Sequence, residues 1–144
     1  MLRITLTEES MEIKVSTEQG RVPVTVLHVD GNIDSSTYEV FQSTGKKLIE
    51  EGVRHILVDL SHVPFMSSAG LRALHTLFNE LRLRNPDDNL SDEQVKKGIS
   101  AGTYKSPHLK LLNLSPETRT AFEASGFDMY IATFTDKKEA VASF

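Results

Sequence analysis

Cysteine is missing from this sequence of 144 residues, and its absence removes several kinds of chemistry at once. Disulfide bonds, thiolate nucleophiles and cysteine-ligated zinc or iron–sulfur centres are all excluded. Long apolar runs are missing too, since no stretch approaches the ~20 residues of a membrane-spanning helix. Residues 1–9 become acidic before a signal-peptide core forms, so we expect a cytoplasmic protein without direct membrane insertion.

A concentrated patch of positive charge is also missing from the sequence. The formal net charge is −4, and the Lys and Arg residues are scattered along the chain. We therefore expect no nucleic-acid partner. Neither a Walker motif nor a Gly-x-Gly-x-x-Gly run is present, and the histidines lack metal-ligand spacing, so the sequence predicts no cofactor and no metal site.

The composition that remains is typical of one globular domain. Hydrophobic residues make up 39% of the chain and charged residues 25%, which is enough apolar material for a single core. We therefore treat residues 1–144 as one domain.

Hydrophobic periodicity predicts alternating strands and helices. The predicted elements are, in order, a hairpin over 11–17 and 22–29, a helix over 35–51, a strand over 55–60, a helix starting at 67–69, a short helix over 92–97, a strand over 108–114, a helix starting at 115–117, a strand over 127–131 and a helix from 135 to 144. Residues 2–7 are either a further strand or an extended tail. The pattern indicates an α/β fold, with a mixed, mostly parallel sheet of about five strands and four main helices.

Residues 85–107 interrupt this pattern as a polar insertion loop. Asn85-Pro86-Asp87-Asp88-Asn89 is a strong breaker, and Ser91 and Gln94 have the spacing of a capping box, which predicts the short exposed helix over 92–97. Two interpretations stay open: a tolerated surface insertion, or an element that sets partner specificity.

The most informative segment runs from Val58 to Leu74. A buried strand ends at Leu60, the chain turns at Pro64, and a helix begins with Ser67 as the candidate N-cap. Ser68 then lies in the first helical turn, where unpaired backbone N–H groups and the positive end of the helix dipole favour an anion. The alternative is that both serines only cap the helix.

The segment from Val58-Asp59-Leu60 through Pro64-Phe65-Met66-Ser67-Ser68-Ala69-Gly70-Leu71 resembles the signature of the STAS domain, named for sulfate transporters and anti-sigma factor antagonists. Gly31-Asn32-Ile33-Asp34, Leu109 to Leu114 and Phe122 to Phe127 are also similar to family segments. The resemblance covers roughly residues 11–84 and 108–144, and the expected fold is that of a single STAS-like domain.

The resemblance implies a function as a bacterial anti-sigma factor antagonist. Such a protein binds an anti-sigma factor that is also a serine kinase; phosphorylation by the kinase releases it, and a serine phosphatase resets it. Alignment on Gly70 and Leu71 puts the phosphoacceptor at Ser68, with Ser67 as runner-up. Ser67 departs from the family pattern, because many antagonists carry Asp at that position.

The resemblance also implies a partner-binding surface around the serine. Its candidate residues are Asp34, Phe65, Met66, Ser67, Ser68, Gly70 and Leu71. Among the apolar ones, Leu71 is the one we expect to belong to the core. Asp34 has an alternative role, since a turn or an N-cap before the first helix also favours an acid.

Two rival functions remain. We expect no enzyme, because neither Ser67 nor Ser68 lies in a Gly-x-Ser-x-Gly elbow and His62 is near them only in sequence; His28 and His55 fall within apolar strands, where a histidine is usually part of the core. The other rival is a STAS subunit or scaffold of a lipid-transport or stress-signalling assembly, without sigma-factor control.

Overall fold

The computed structural model describes residues 4–8, 11–85 and 90–144, with only the backbone of 4–8. The six strands are β1 (Ile4–Glu8), β2 (Met11–Gln19), β3 (Pro23–Asp30), β4 (Ile56–His62), β5 (Leu109–Leu112) and β6 (Ala132–Phe134). The five helices are α1 (Tyr38–Glu50), α2 (Ser68–Arg84), α3 (Asp92–Ala101), α4 (Pro116–Ala124) and α5 (Lys137–Ala142). None of the helices in these ranges has the length and apolar character needed to cross a bilayer.

All six strands form one mixed sheet in the order β1-β2-β3-β4-β5-β6. The first three strands pair antiparallel, and β3 to β6 pair parallel through helical crossovers. The α/β class and the 11–29 hairpin are therefore confirmed. Of the two interpretations of residues 2–7, the strand is correct for residues 4–7, since Ile4 pairs with Val15 at the sheet edge; residues 2 and 3 lie outside the described residues.

The main core lies between one face of the sheet and the helices α1, α2 and α4. Residues of β2, β3 and β4 alternate, so that every second side chain faces these helices. The closest helix contact is at Gly45 of α1, where a Cβ atom would lie 2.6 Å from the side chain of Leu77 in α2. Members of this core include Ile13, Val15, Leu27, Val29, Phe41, Ile56, Val58, Leu60, Leu74, Leu77 and Phe122.

The opposite face of the sheet is covered in part by α5. A second cluster packs there, formed by Val24, Val26, Leu57, Leu112, Ala140 and Val141. Lys110 holds the end of this helix, since its Nζ donates to the carbonyl of Ser143 at 2.8 Å and lies 4.7 Å from the ring centroid of Phe144. The rest of this face, towards β2, carries polar side chains.

The predicted strand over 127–131 is wrong. Gly126, at φ 82°, ends the turn after α4, and Phe127–Met129 form a 3₁₀ turn; the strand that joins the sheet is β6. Phe127, Tyr130 and Ile131 all face the main core. Their spacing of three and four residues suits a helical turn, whereas a strand would have turned Tyr130 and Ile131 to opposite faces.

The helix predicted over 92–97 exists and is longer, as α3. Its capping box is present, with Ser91 Oγ accepting from the Gln94 backbone N–H and the Gln94 side chain accepting from the Ser91 N–H. The helix is not merely exposed: Val95 is buried in the main core, and Ile99 packs against it. Most of the predicted breaker, residues 86–89, lies outside the described residues.

Candidate functional site

The loop between β4 and α2 presents two serines in different environments. Ser67 is the N-cap of α2, and its Oγ accepts from the Gly70 N–H. Ser68 is the first residue of the helix and is exposed. Within the described part of the chain its hydroxyl makes no hydrogen bond. Ser67 is therefore used in capping, whereas the Ser68 hydroxyl is accessible to a reagent from solvent.

A short parallel bridge fixes this loop against the chain before α1. The Ile33 N–H donates to the Phe65 carbonyl at 3.1 Å, and the Ser67 N–H donates to the Ile33 carbonyl at 2.9 Å. Ser115 holds the other side of the loop, since its hydroxyl donates to the Pro64 carbonyl at 2.8 Å. The backbone that carries the serines is thus tied to two segments that are distant in sequence.

Asp34 follows the bridging residue Ile33 directly. Its carboxylate accepts from the Ser36 hydroxyl at 2.7 Å and from the Ser36 N–H at 2.9 Å. These hydrogen bonds hold the pKa of Asp34 below its ordinary value, so the residue is ionised at neutral pH. Its carbonyl also accepts from the Thr37 and Tyr38 N–H groups at the start of α1. Asp34 therefore does form the turn before α1. The bridge between Ile33 and Met66 also links this acid to the loop between β4 and α2.

Gly70 lies where α2 touches the Ile33 segment most closely. A Cβ atom at this position would lie 2.7 Å from the Ile33 carbonyl oxygen and 2.7 Å from Met66 Cγ. Only glycine fits this approach without a backbone shift.

Burial narrows the surface that a partner can touch. Met66, Gly70 and Leu71 are buried, so they position the loop instead of offering contact area. Leu71 was expected in the core, but Met66 was not. Phe65 is different, since 44% of its surface is exposed. Of the seven predicted contact residues, the accessible ones are Asp34, Phe65, Ser67 and Ser68.

Charge and hydrogen bonding around Ser68 favour neither a metal nor a catalytic pair. In the described ranges, no three His, Asp or Glu side chains are grouped to hold a metal ion. There, too, no histidine hydrogen-bonds to Ser67 or Ser68. Arg72 is exposed one helical turn after Ser68, at the i+4 spacing at which side chains on a helix interact.

Sequence reasoning missed Ile33 and Ser115 as supports of the site. Both act through contacts with residues far away in the chain, and neither residue type signals such a contact locally. The only available signal was the family-like stretch Gly31-Asn32-Ile33-Asp34, which marked the region without indicating the bridge.

A mixed sheet with this strand order, and an exposed serine at the start of the helix after its central strand, define a small α/β domain. The chain belongs to the STAS domain family, because the model of that family matches residues 14–87, more than half of the chain.

Known proteins similar to this chain carry related names. A Bordetella bronchiseptica protein named "Putative anti-sigma factor antagonist BtrV" is 26% identical over 116 residues, which is 81% of this chain and 82% of that protein. An anti-sigma factor antagonist from Mycobacterium paratuberculosis has a similar fold, with a TM-score of 0.67, 20% identity and coverage of 96% of this chain and 97% of the other. The Bacillus cell fate determinant SpoIIAA in its phosphorylated form has a TM-score of 0.56 and 22% identity, with coverage of 88% of this chain and 96% of the other. At these levels of identity, the similarity to the two solved structures shows a common fold.

Proposed function

We propose that this protein is an anti-sigma factor antagonist whose binding to an anti-sigma factor serine kinase is switched by phosphorylation of Ser68. It acts in the cytoplasm as a binding protein without enzymatic activity, and a serine phosphatase restores the binding form. The observation that carries the proposal is the exposed Ser68 hydroxyl at the first position of α2, inside the region that matches the STAS family. The names of BtrV and of the Mycobacterium structure support it.

The contact surface of the unphosphorylated protein consists of Asp34, Phe65, Ser67 and Ser68. Phe65 supplies an exposed apolar side chain, and Asp34 supplies a fixed negative charge. An aromatic anchor beside a charged rim is a common composition of protein interfaces. Met66, Gly70 and Leu71 hold this surface in place from below.

Phosphorylation acts on the interface and leaves the fold intact. A phosphate on Ser68 adds about −1.5 to −2 charges. The helix N-terminus favours such a charge by roughly 0.3–1 kcal/mol, and Arg72 lies one turn away. The same charge opposes binding, because it would have to be desolvated next to the apolar Phe65. A loss of about 3 kcal/mol at the interface weakens binding roughly a hundredfold.

The test uses ATP and a candidate anti-sigma factor kinase from the same organism. Intact-mass analysis is expected to show one added phosphate, which disappears in Ser68→Ala and remains in Ser67→Ala. Ser68→Asp is expected to bind the kinase more weakly than Ser68→Ala. The matched control is Ser67→Asp, which keeps a capping side chain and tests the residue that many family members carry there.

The proposal fails if the phosphate is lost in Ser67→Ala and kept in Ser68→Ala, or if the folded wild-type chain neither binds the kinase nor is phosphorylated. Circular dichroism of each variant separates a lost acceptor from a lost fold.

A further inference from the structure

The polar half of the sheet face opposite α1 and α2 contains a hydrogen-bonded row of three side chains on three neighbouring strands. Ser16 in β2, His28 in β3 and Asp59 in β4 alternate with core residues and so share this face. Ser16 Oγ lies 2.8 Å from His28 Nε2, and His28 Nδ1 lies 3.1 Å from Asp59 Oδ2. The order is that of a hydroxyl, an imidazole and a carboxylate in series.

Asp59 determines which nitrogen of His28 holds the proton. Partial burial alone would raise the pKa of Asp59, but hydrogen bonds from Ser61 and His28 outweigh it and hold the pKa below its ordinary value. The carboxylate is therefore ionised and can only accept a hydrogen bond. Nδ1 of His28 must then carry the proton, which leaves the lone pair of Nε2 to accept from the Ser16 hydroxyl.

Accessibility distinguishes this row from a buried structural network. Ser16 is only partly buried, and the His28 side chain is 32% exposed. A cavity of ≈ 350 Å³ opens beside the imidazole and is lined by Glu12, Lys14, His28, Val29, Asp30, Asp59 and His62. Ser16 is not among these residues and is joined to them through its hydrogen bond to His28. This volume is at the small end of the range typical of ligand pockets.

Lys14 is a cation on the same face of β2 as Ser16. It lies directly across the strand pair from His28 and two residues before Ser16, on the same face. Its ion pair with Glu12 is long, at 3.7 Å, and both side chains are well exposed, so the pair is weak and the ammonium group can reorient. A cation here can stabilise the oxyanion that forms when a hydroxyl attacks a carbonyl.

The geometry points to Ser16 as a nucleophilic serine that accepts an acyl group from a small, uncharged activated ester, with His28 as its general base and Asp59 as the residue that orients the base. This site is separate from Ser68 and from partner binding, and the acyl group remains on the protein as a modification. It is distinct from the serine–histidine pairing considered for Ser67 and Ser68, which the structure does not contain within the described residues.

The transfer balances without a further reactant. Ser16 Oγ forms a bond to the carbonyl carbon as its proton moves to His28 Nε2, and the carbonyl oxygen becomes an oxyanion. The bond between the carbonyl carbon and the ester oxygen then breaks. The leaving alkoxide takes the proton from His28 and departs as an alcohol, which leaves an ester on Ser16 and His28 neutral again.

The test uses a small alkyl fluorophosphonate, a phosphorus analogue of an activated ester, with the folded full-length chain. Ser16 Oγ attacks phosphorus, fluoride leaves, and the proton passes through His28 to solvent. Intact-mass analysis is expected to show one phosphonyl group, which peptide mapping places on Ser16. His28→Gln is expected to slow labelling by about 100-fold, in line with the loss of a general base. The matched control is Ser68→Ala, which leaves labelling unchanged and separates this site from the proposed function.

Wild-type protein alone is enough to overturn the proposal. It fails if the native chain is not labelled, if urea-denatured chain is labelled equally fast, or if the label maps to another serine. Labelling of Ser16 that persists at the same rate in a folded His28→Gln variant also overturns it, because the serine would then react without its base.

Discussion

At the scale of single residues, Gly70 is the point at which α2 packs closely against the Ile33 segment. The helix propensity of alanine exceeds that of glycine by about 1 kcal/mol, so propensity alone favours a substitution in the first turn of α2. Packing opposes it, because the nearest atom to a new Cβ is a backbone oxygen of Ile33, which cannot rotate away. Overpacking of this kind costs typically about 1–3 kcal/mol.

We therefore predict that Gly70→Ala lowers the free energy of unfolding by up to about 2 kcal/mol, because a steric cost of about 1–3 kcal/mol is offset in part by a gain in propensity of about 1 kcal/mol. Urea denaturation followed by circular dichroism measures it. Ser68→Ala, two residues earlier on the exposed side of the same turn, is the control and should change stability by less than about 0.5 kcal/mol. A more stable Gly70→Ala variant would show that the Ile33 segment moves freely, contrary to the bridge.

The role of Ser67 as N-cap explains why serine can replace the Asp that many family members carry at this position. The sequence comparison left it as an exception, because Asp is common at that position. In the structure Ser67 is the N-cap, and Asp and Ser are nearly equivalent as N-caps. The exchange therefore preserves the helix start while removing one negative charge from the site.

At the scale of elements, α3 is more deeply packed than the sequence predicts. The sequence predicts a short exposed helix over 92–97, yet Val95 is 5% exposed and Tyr104, which follows the helix, is 8% exposed. Arg82 in α2 also pairs with Asp92 at the start of α3. The insertion is thus packed against the second half of α2.

Val95→Ala tests this packing. Removal of two buried methyl groups is expected to lower the free energy of unfolding by about 1.5–2.5 kcal/mol. Lys96→Ala, the exposed next residue, is expected to change it by less than about 0.5 kcal/mol. Chemical denaturation gives both values. Equal, small effects for the two variants would mean that α3 adds nothing to the core.

The elements that sequence predicted correctly have signals within a few residues. The hairpin over 11–29, the capping box of Ser91 and Gln94, and the helix starts at Ser67 and Ser115 are all local patterns. The failures are long-range. The apolar residues of segment 127–131 suit a strand as well as a helical turn, and the sequence pattern predicts the strand. Only the position of the main core decides in favour of the turn.

The same distinction applies to the candidate site. The position of Ser68 at the helix start followed from the local motif. The bridge at Ile33 and the row from Ser16 to Asp59 join strands or loops that only the sheet topology brings together. The apolar neighbours of His28 predict a core histidine. Because side chains alternate along β3, however, Leu27 and Val29 face the main core and His28 faces the polar side of the sheet.

At the scale of the whole molecule, two half-buried histidines make stability depend on pH. Burial lowers the pKa of His75, and burial together with the charge of Lys110 lowers the pKa of His55. In the unfolded chain both titrate near the ordinary value of about 6.5. As the pH falls below that value, the unfolded state binds protons that the folded state does not, so the folded state loses stability.

We therefore expect the urea midpoint to be lower at pH 5 than at pH 7. His75→Gln should reduce this difference, because Gln can still bond to the Tyr130 hydroxyl, 2.8 Å from His75 Nδ1, and does not titrate. Thr76→Ala, the next residue on α2, is the control and should retain the full difference. A midpoint that rises on acidification would contradict the burial of these imidazoles.

The length of α2 has a consequence for how this protein can vary. The helix has 17 residues, and Arg82, which pairs with Asp92 of α3, lies 14 residues after Ser68, about 21 Å away at ~1.5 Å per residue. In the proposed function, residues at the α3 end can therefore change without altering the surface that the kinase contacts around Ser68. The two ends of one helix are thus separate surfaces.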